Sequence, residues 1–432
     1  MASPTNDFYA CDSGRDILAG ISTVRPFLGV VGHSMVKMSI NIPGWAYGEV
    51  EGVAAFRWLN AVLRKPFDYP HCYASAATMG GPSAMQNGVY GLSSYTAASI
   101  VPLVPEYITQ MTPYVGTRPL VVGLMMSANS IIAGSSGASI WGSHETVIGE
   151  LDAEGWDVLL TEPVPSTQYG SSAKKTIVSD LQTLMRGAAD SNIVDCLPWT
   201  DAYLDTGDAN GYPVPLSGYT TDGLHINTSG AVAVAAASLA TLAGRYPPWE
   251  PLASHVVCSW NPTLSGSSGT LGTQAYGMVP DNYTLSAPGS GCNVTGTQTG
   301  DGFIADWSYS GPAYAGSNSH SLIGRSYGVN FTVGSTVHEV IGDIEIMECE
   351  NYNFQLVDDL GGGTGLAPAS TSQTGLVWAG FLVGHRIVMH TEPFVAPTGM
   401  TKATASFTGK IYTGATSARL KVKFRWLGVK QV

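Results

Sequence analysis

Four short apolar runs punctuate the first half of the chain: FLGVV (27–31), PLVVGLMM (119–126), WDVLLTEP (156–163) and NIVDCLPW (192–199). Each has the length of a strand and little polar alternation, the pattern of strands covered on both faces. Between the last two, in SAKKTIVSDLQTLMRGAAD, Ile177, Leu181, Leu184 and Met185 fall at i, i+4, i+7 and i+8, which lines one side of a helix. Strand, helix and strand in that order predict an α/β fold, a parallel sheet with helices on both faces. The Ala- and Leu-rich run GAVAVAAASLATLAGRY (230–246) predicts a closing helix that stops at Pro247 and Pro248.

Beyond residue 250 the pattern changes. Stretches such as GTLGTQAYGMVPDNYTL and GFLVGHRIVMH are short strands between Gly, Ser, Thr and Asn clusters, which predicts a smaller all-β domain of sandwich or jelly-roll type. In the last strand Leu420, Val422, Phe424 and Trp426 alternate with Arg419, Lys421, Lys423 and Arg425. One face is core; the other is a basic stripe, read as a solvated face or as a contact surface for an anionic polymer or a neighbouring subunit. The expected organisation is an N-terminal arm (1–24), an α/β domain (25–248), a linker (249–262) and a β-rich binding or assembly domain (263–432).

Composition narrows the functional classes. The 432 residues are 44% hydrophobic and 12% charged, with a net charge of −12, so a nucleic-acid partner, which needs clustered Lys and Arg, is set aside. No run approaches the length of a membrane span, and MASPTNDFYACDSGRD lacks the basic and apolar regions of a signal peptide. Six scattered cysteines (Cys11, Cys72, Cys196, Cys258, Cys292, Cys349) show no zinc spacing and read as free thiols. Of four glycosylation sequons, at Asn227, Asn282, Asn293 and Asn330, the first is discounted because a glycan would crowd His225.

The candidate chemistry lies in TTDGLHINTSG (220–230). Asp222 stands three residues before His225, a spacing at which a carboxylate can accept the imidazole Nδ1–H and orient the ring. A base and its orienter require a nucleophile, and Ser34 supplies one where FLGVVGHSM leaves the first strand. His71 and His144 lie outside any matching acid pattern.

Four blocks in this order, GHS (32–34), ASAATMGG (74–81), MSAN (126–129) and DGLHIN (222–227), resemble the SGNH (GDSL-type) hydrolase superfamily over roughly residues 25–248. The resemblance implies Ser34 as nucleophile, His225 as general base and Asp222 as its orienter. It also implies an oxyanion hole made by the Ser34 N–H, the Asn129 side chain and a glycine of the second block, Gly80 first and Gly81 second. Departures are His33 in place of the usual Asp, Ser127 in place of Gly, Ser130 in place of Asp, and alanines in the second block. Such chemistry requires neither metal nor cofactor.

The resemblance implies a serine esterase. With few apolar residues available for a lid beyond Ile131, Ile132 and Ile140, the expected acyl group is short, such as acetyl. Trp45, Trp141 and Trp307 are read as core residues or as platforms for a sugar polymer. An esterase domain followed by a Gly/Ser/Thr-rich β-domain is also similar in architecture to bacteriophage tail spikes and tail fibres. That similarity implies an acylated polysaccharide substrate, a virion or extracellular location, and assembly as a homo-oligomer such as a trimer. The alternative is a non-catalytic virion structural or receptor-binding protein that retains the fold.

Overall fold

The computed structural model describes residues 25–37, 55–70, 72–81, 83–116, 118–242, 244–251, 259, 261–316, 320–326, 337–359, 382–391, 394–395 and 403–431. In the first half the strands are β1 (Phe27–His33), β2 (Tyr73–Ala74), β3 (Met85–Gln86), β4 (Val89–Leu92), β5 (Leu120–Met125), β6 (Asp157–Thr161) and β7 (Ile193–Leu197). They form one sheet in the order β2-β3-β4-β1-β5-β6-β7. From β4 to β7 the pairing is parallel, as the buried apolar runs predict. β3 runs antiparallel to β2 and β4. It joins β4 through Asn87 and Gly88, both at positive φ (50° and 79°), a two-residue hairpin turn.

The helices are α1 (Ser34–Lys37), α2 (Ala55–Val62), α3 (Ala97–Ile100), α4 (Val104–Val115), α5 (Ala128–Ile132), α6 (Gly137–Ala153), α7 (Ser172–Arg186) and α8 (Thr228–Leu242). Strand side chains alternate between two cores. Leu28 and Val30 of β1 pack with Phe56, Trp58, Val232 and Val234 of α2 and α8, whereas Phe27 and Val31 pack with Tyr107, Met111, Val147 and Leu181 of α4, α6 and α7. The helix foreseen in residues 172–190 is α7, which buries Val178, Leu181 and Met185.

The second half holds β8 (Ser268–Leu271), β9 (Ala275–Gly277), β10 (Val279–Ser286), β11 (Cys292–Thr299), β12 (Gly302–Ser310), β13 (His320–Ser326), β14 (Val337–Glu350), β15 (Tyr352–Asp359), β16 (Arg386–His390), β17 (Phe394–Val395), β18 (Ala403–Ile411) and β19 (Ser417–Gln431). They make two sheets, β15-β18-β13-β10-β8 and β16-β14-β19-β12-β11-β9, with β17 on β14. Leu322 and Phe407 of the first sheet share a core with Phe303, Trp307, Leu420 and Phe424 of the second. The protein is thus an α/β domain followed by a smaller all-β domain.

The two halves are packed together. The core that holds α2 and α8 continues into the β-domain, and the Trp249 and Trp426 rings meet edge to face at 5.2 Å. A buried polar cluster lies at the same junction. The Lys65 ammonium is 2.7 Å from Asp68 Oδ1 and 3.2 Å from Glu339 Oε1, and His390 Nδ1 is 3.1 Å from Glu339. Asn60 Nδ2 lies 3.1 Å from His390 Nε2, and Arg118 closes the other side of Asp68 at 2.8 Å.

The basic stripe carries its own counter-charges: Arg419 pairs with Asp306 and Glu348 and Arg425 with Glu345, from β12 and β14, and Lys423 pairs with Asp301 in the turn before β12. Trp141 and Trp307 are buried and offer no sugar platform; Trp45 lies outside the described residues. Cys72, Cys196, Cys292 and Cys349 are free thiols, while Cys11 and Cys258 lie outside the described residues. No helix among the described residues is long and apolar enough to cross a membrane.

Candidate active site

Ser34 opens α1 immediately after β1, so the chain turns sharply from strand to helix at the C-terminal edge of the sheet. Gly32 permits that turn. A Cβ there would lie 2.2 Å from the Met125 carbonyl oxygen and 2.7 Å from Val36, so only glycine lets β1 and α1 close up beside β5. The resulting Ser34 is only partly exposed.

His225 arrives from the far end of the domain. Asn227 caps α8, its Oδ1 accepting the Gly230 N–H at 3.1 Å, and His225 sits two residues before it. The preceding turn is closed by a Thr220–Ile226 bridge and by Thr221 N–H to the His225 carbonyl at 2.9 Å. Asp222 Oδ1 accepts the N–H groups of Leu224 (3.0 Å) and His225 (2.7 Å), which leaves Oδ2 to meet His225 Nδ1 at 2.7 Å. On the other side of the ring, His225 Nε2 is 2.9 Å from Ser34 Oγ. Partial burial opposes ionisation of Asp222, but the two N–H donors and the His225 ring overcome it and hold its pKa down to about 2. The carboxylate is therefore charged at neutral pH, accepts the Nδ1 proton, and leaves the Nε2 lone pair facing the serine hydroxyl.

His33, next to the nucleophile, is buried. Burial, with the neighbouring His225 and His144, pushes its pKa down to about 3, so it stays neutral when His225 takes a proton. Its Nδ1 faces the Met35 N–H at 3.4 Å. His144 is buried on α6 with Nδ1 on the Ile140 carbonyl; His71 lies outside the described residues.

Asn129 sits in the first turn of α5, beyond the end of β5, the strand that flanks β1. Its Nδ2 donates to the Tyr95 carbonyl at 2.9 Å, and the second amide hydrogen remains for another acceptor.

Gly80 is the glycine expected to supply a backbone donor. That residue stands in the β2–β3 connection, its N–H is already directed at the Ala77 carbonyl (3.3 Å), and β2 is three strands from β1. Gly81, in the same connection, packs against Tyr90 and Leu92. The strand hydrogen-bonded to β1 is β4, with Leu92 opposite His33, and the turn beside Ser34 is Ser93–Thr96. In it Ser94 is exposed at φ +65°, a left-handed conformation unusual for serine, and its N–H has no acceptor among the described residues. Asn129 holds the next carbonyl of the same turn. The Asn87–Gly88 hairpin signal would have located β4, and with it this turn, from the sequence alone.

No family model matches the chain, and no curated protein matches it. Among solved structures it is similar to a member of the lipolytic protein G-D-S-L family from Veillonella parvula, with 16% identity over 50% of this chain and 98% of that one, at a TM-score of 0.33. It is also similar to AlinE4, an SGNH-hydrolase family esterase (15% identity, 52% and 97% covered, TM-score 0.28), and to TesA (16%, 50% and 98%, 0.31).

Proposed function

We propose that the protein is a serine ester hydrolase that removes short acyl groups. The observation that carries this reading is the continuous line from Asp222 Oδ2 through His225 to Ser34 Oγ, at 2.7 and 2.9 Å. In this reading His225 Nε2 takes the Ser34 proton as Oγ attacks the acyl carbon, and Asp222 stabilises the imidazolium that forms. The oxyanion is met by the Ser34 and Ser94 N–H groups and by the free hydrogen of the Asn129 amide. The alcohol leaves with the proton returned by His225, and water repeats the sequence to release the acid.

The short-acyl reading is supported by Ile131 and Ile140, which are spent in the core rather than available to line a channel for a long chain. Asp222 and Ser94 are exposed and Ser34 is partly so, an open and polar setting that suits an ester carried on a large polar alcohol. On that ground we propose an acylated polysaccharide as the substrate class, with an acetyl group as the first acyl to test. Assembly as a trimer and a virion or extracellular setting are separate proposals, supported only by the order of an α/β domain followed by a β-rich domain. The alternative, a non-catalytic structural protein, gives no reason for three side chains to meet at hydrogen-bonding distance. Turnover of p-nitrophenyl acetate, followed by acetate release from acetylated polysaccharides, tests the reading; a folded protein inactive on both refutes it.

A further inference from the structure

From Leu197 to Thr228 the chain crosses the domain without a helix or named strand, and the acid–base turn is the last part of that crossing. The side chain of Asp222 is half exposed, so packing alone does little to fix the turn. One peptide is nevertheless tightly held. The Gly223 carbonyl, between the acid and the base, accepts the Ser166 hydroxyl at 3.0 Å, the Thr167 N–H at 2.8 Å and the Thr167 hydroxyl at 3.2 Å. Ser166 is fully buried, and its N–H donates to the Pro213 carbonyl at 3.0 Å, so the segment after β6 is tied twice to the same crossing. Gly223 lies at φ +80°, and a Cβ on it would fall 2.2 Å from Thr167 Oγ1. The two segments approach as closely as glycine alone permits.

We propose that Ser166 and Thr167 are positioning residues that hold the acid–base turn in register with Ser34. The proposal rests on the serine-hydrolase reading for its kinetic consequence, though not for its structural one. A carbonyl that takes three donors is fixed in direction, and it belongs to the Gly223–Leu224 peptide, midway between Asp222 and His225. Fixing it fixes the approach of His225 Nε2 to Ser34 Oγ, where a misplacement of about 1 Å costs up to 10²-fold in rate.

The test uses the full chain with Ser166→Ala, Thr167→Val and Thr167→Ser. Loss of one such hydrogen bond is expected to lower kcat roughly fivefold to tenfold with KM changed less than about twofold, and Thr167→Ser, which keeps the hydroxyl, is expected to stay within about twofold of wild type. In an Asp222→Ala background, Ser166→Ala should change the residual kcat by less than about twofold, because the pair it serves is already broken. Amide hydrogen exchange over residues 219–227 should quicken in both hydroxyl-free variants, whether or not the wild type turns over ester. If Ser166→Ala does not fold, Thr167→Val, which removes a single exposed hydroxyl, decides the matter. Unchanged exchange, unchanged kcat, or a loss of the same size in the Asp222→Ala background would overturn the proposal. A wild type without turnover whose turn still loosens in the variants would sink the hydrolase reading and leave the clamp standing.

Discussion

Removing the Lys65 ammonium from the domain junction should destabilise the whole protein. The side chain is fully buried and lies between two carboxylates, Asp68 and Glu339, of which Glu339 is itself buried. Lys65→Met keeps the length and apolar stem but leaves both carboxylates short of a partner. Breaking a buried pair costs about 3–5 kcal/mol. Arg118 remains on Asp68, and His390 and Lys430 remain near Glu339 at 3.1 and 3.9 Å, so the low end applies, about 3 kcal/mol. At roughly 2 °C per kcal/mol for a unit of this size, the melting temperature falls by about 6 °C. Because one core runs from α2 and α8 into the β-domain, circular dichroism and tryptophan fluorescence should shift together. Lys65→Met/Glu339→Gln should recover part of the loss, since less uncompensated charge is then buried. A melting temperature within about 1 °C of wild type, or a shift seen by one probe only, would refute the reasoning. A chain ending near Pro248 would uncover Lys65, Asp68, Asn60 and the apolar face of α2, and should be less stable for the same reason.

Asn129→Ala should lower kcat by about 10² to 10³ with little change in KM, because the donor serves the oxyanion rather than the bound ester; a change in KM alone would make it a binding or structural residue. Ser94→Gly should keep activity, since the N–H stays and the left-handed backbone is relaxed, whereas Ser94→Pro, which deletes the N–H and cannot adopt that φ, should lose most of it. Equal kinetics for the two would move the backbone donor elsewhere. Stability should fall as the solution is acidified. Burial opposes ionisation of Glu339, but Lys65, His390 and Lys430 overcome it and hold its pKa down to about 2 from 4.5, while burial lowers that of His390 from 6.5. Both groups bind fewer protons folded than unfolded, so their contribution is complete above about pH 6.5 and is lost progressively as pH falls toward 2. Denaturation midpoints that stay constant between about pH 7 and pH 4 would contradict this.

The parallel strands were legible because β1, β5 and β6 are buried on nearly all positions and read as unbroken apolar runs, and the half-buried edge strand β7 is still largely apolar. α7 was legible from its period. α8 shows no period because residues on nearly every side of its first turns are buried, and it was found by composition alone. Asp222 and His225 lie in one turn, so their pairing could be read locally. Ser34 could be added because a nucleophile is required at the end of a strand. What the sequence leaves unread is non-local. The acids that neutralise Arg419, Lys423 and Arg425 come from strands tens to more than a hundred residues away. Trp307 shares the buried face of β12 with Phe303, Ala305 and Tyr309, in line with its reading as a core residue. The turn that holds Ser94 could not be read because β2 and β3 are two residues each, too short to give a pattern that leads to β4.

The central claim is that Ser34 is a nucleophile activated by His225. Its most direct test is covalent labelling with a fluorophosphonate probe, read by peptide mass spectrometry, on wild type, Ser34→Ala and His225→Ala. The account predicts one adduct on the Ser34 peptide in the wild type, none in Ser34→Ala, and a labelling rate lowered by about 10² or more in His225→Ala, with all three proteins folded. Labelling of Ser34→Ala at the wild-type rate, or equal rates with and without the His225 imidazole, would contradict it.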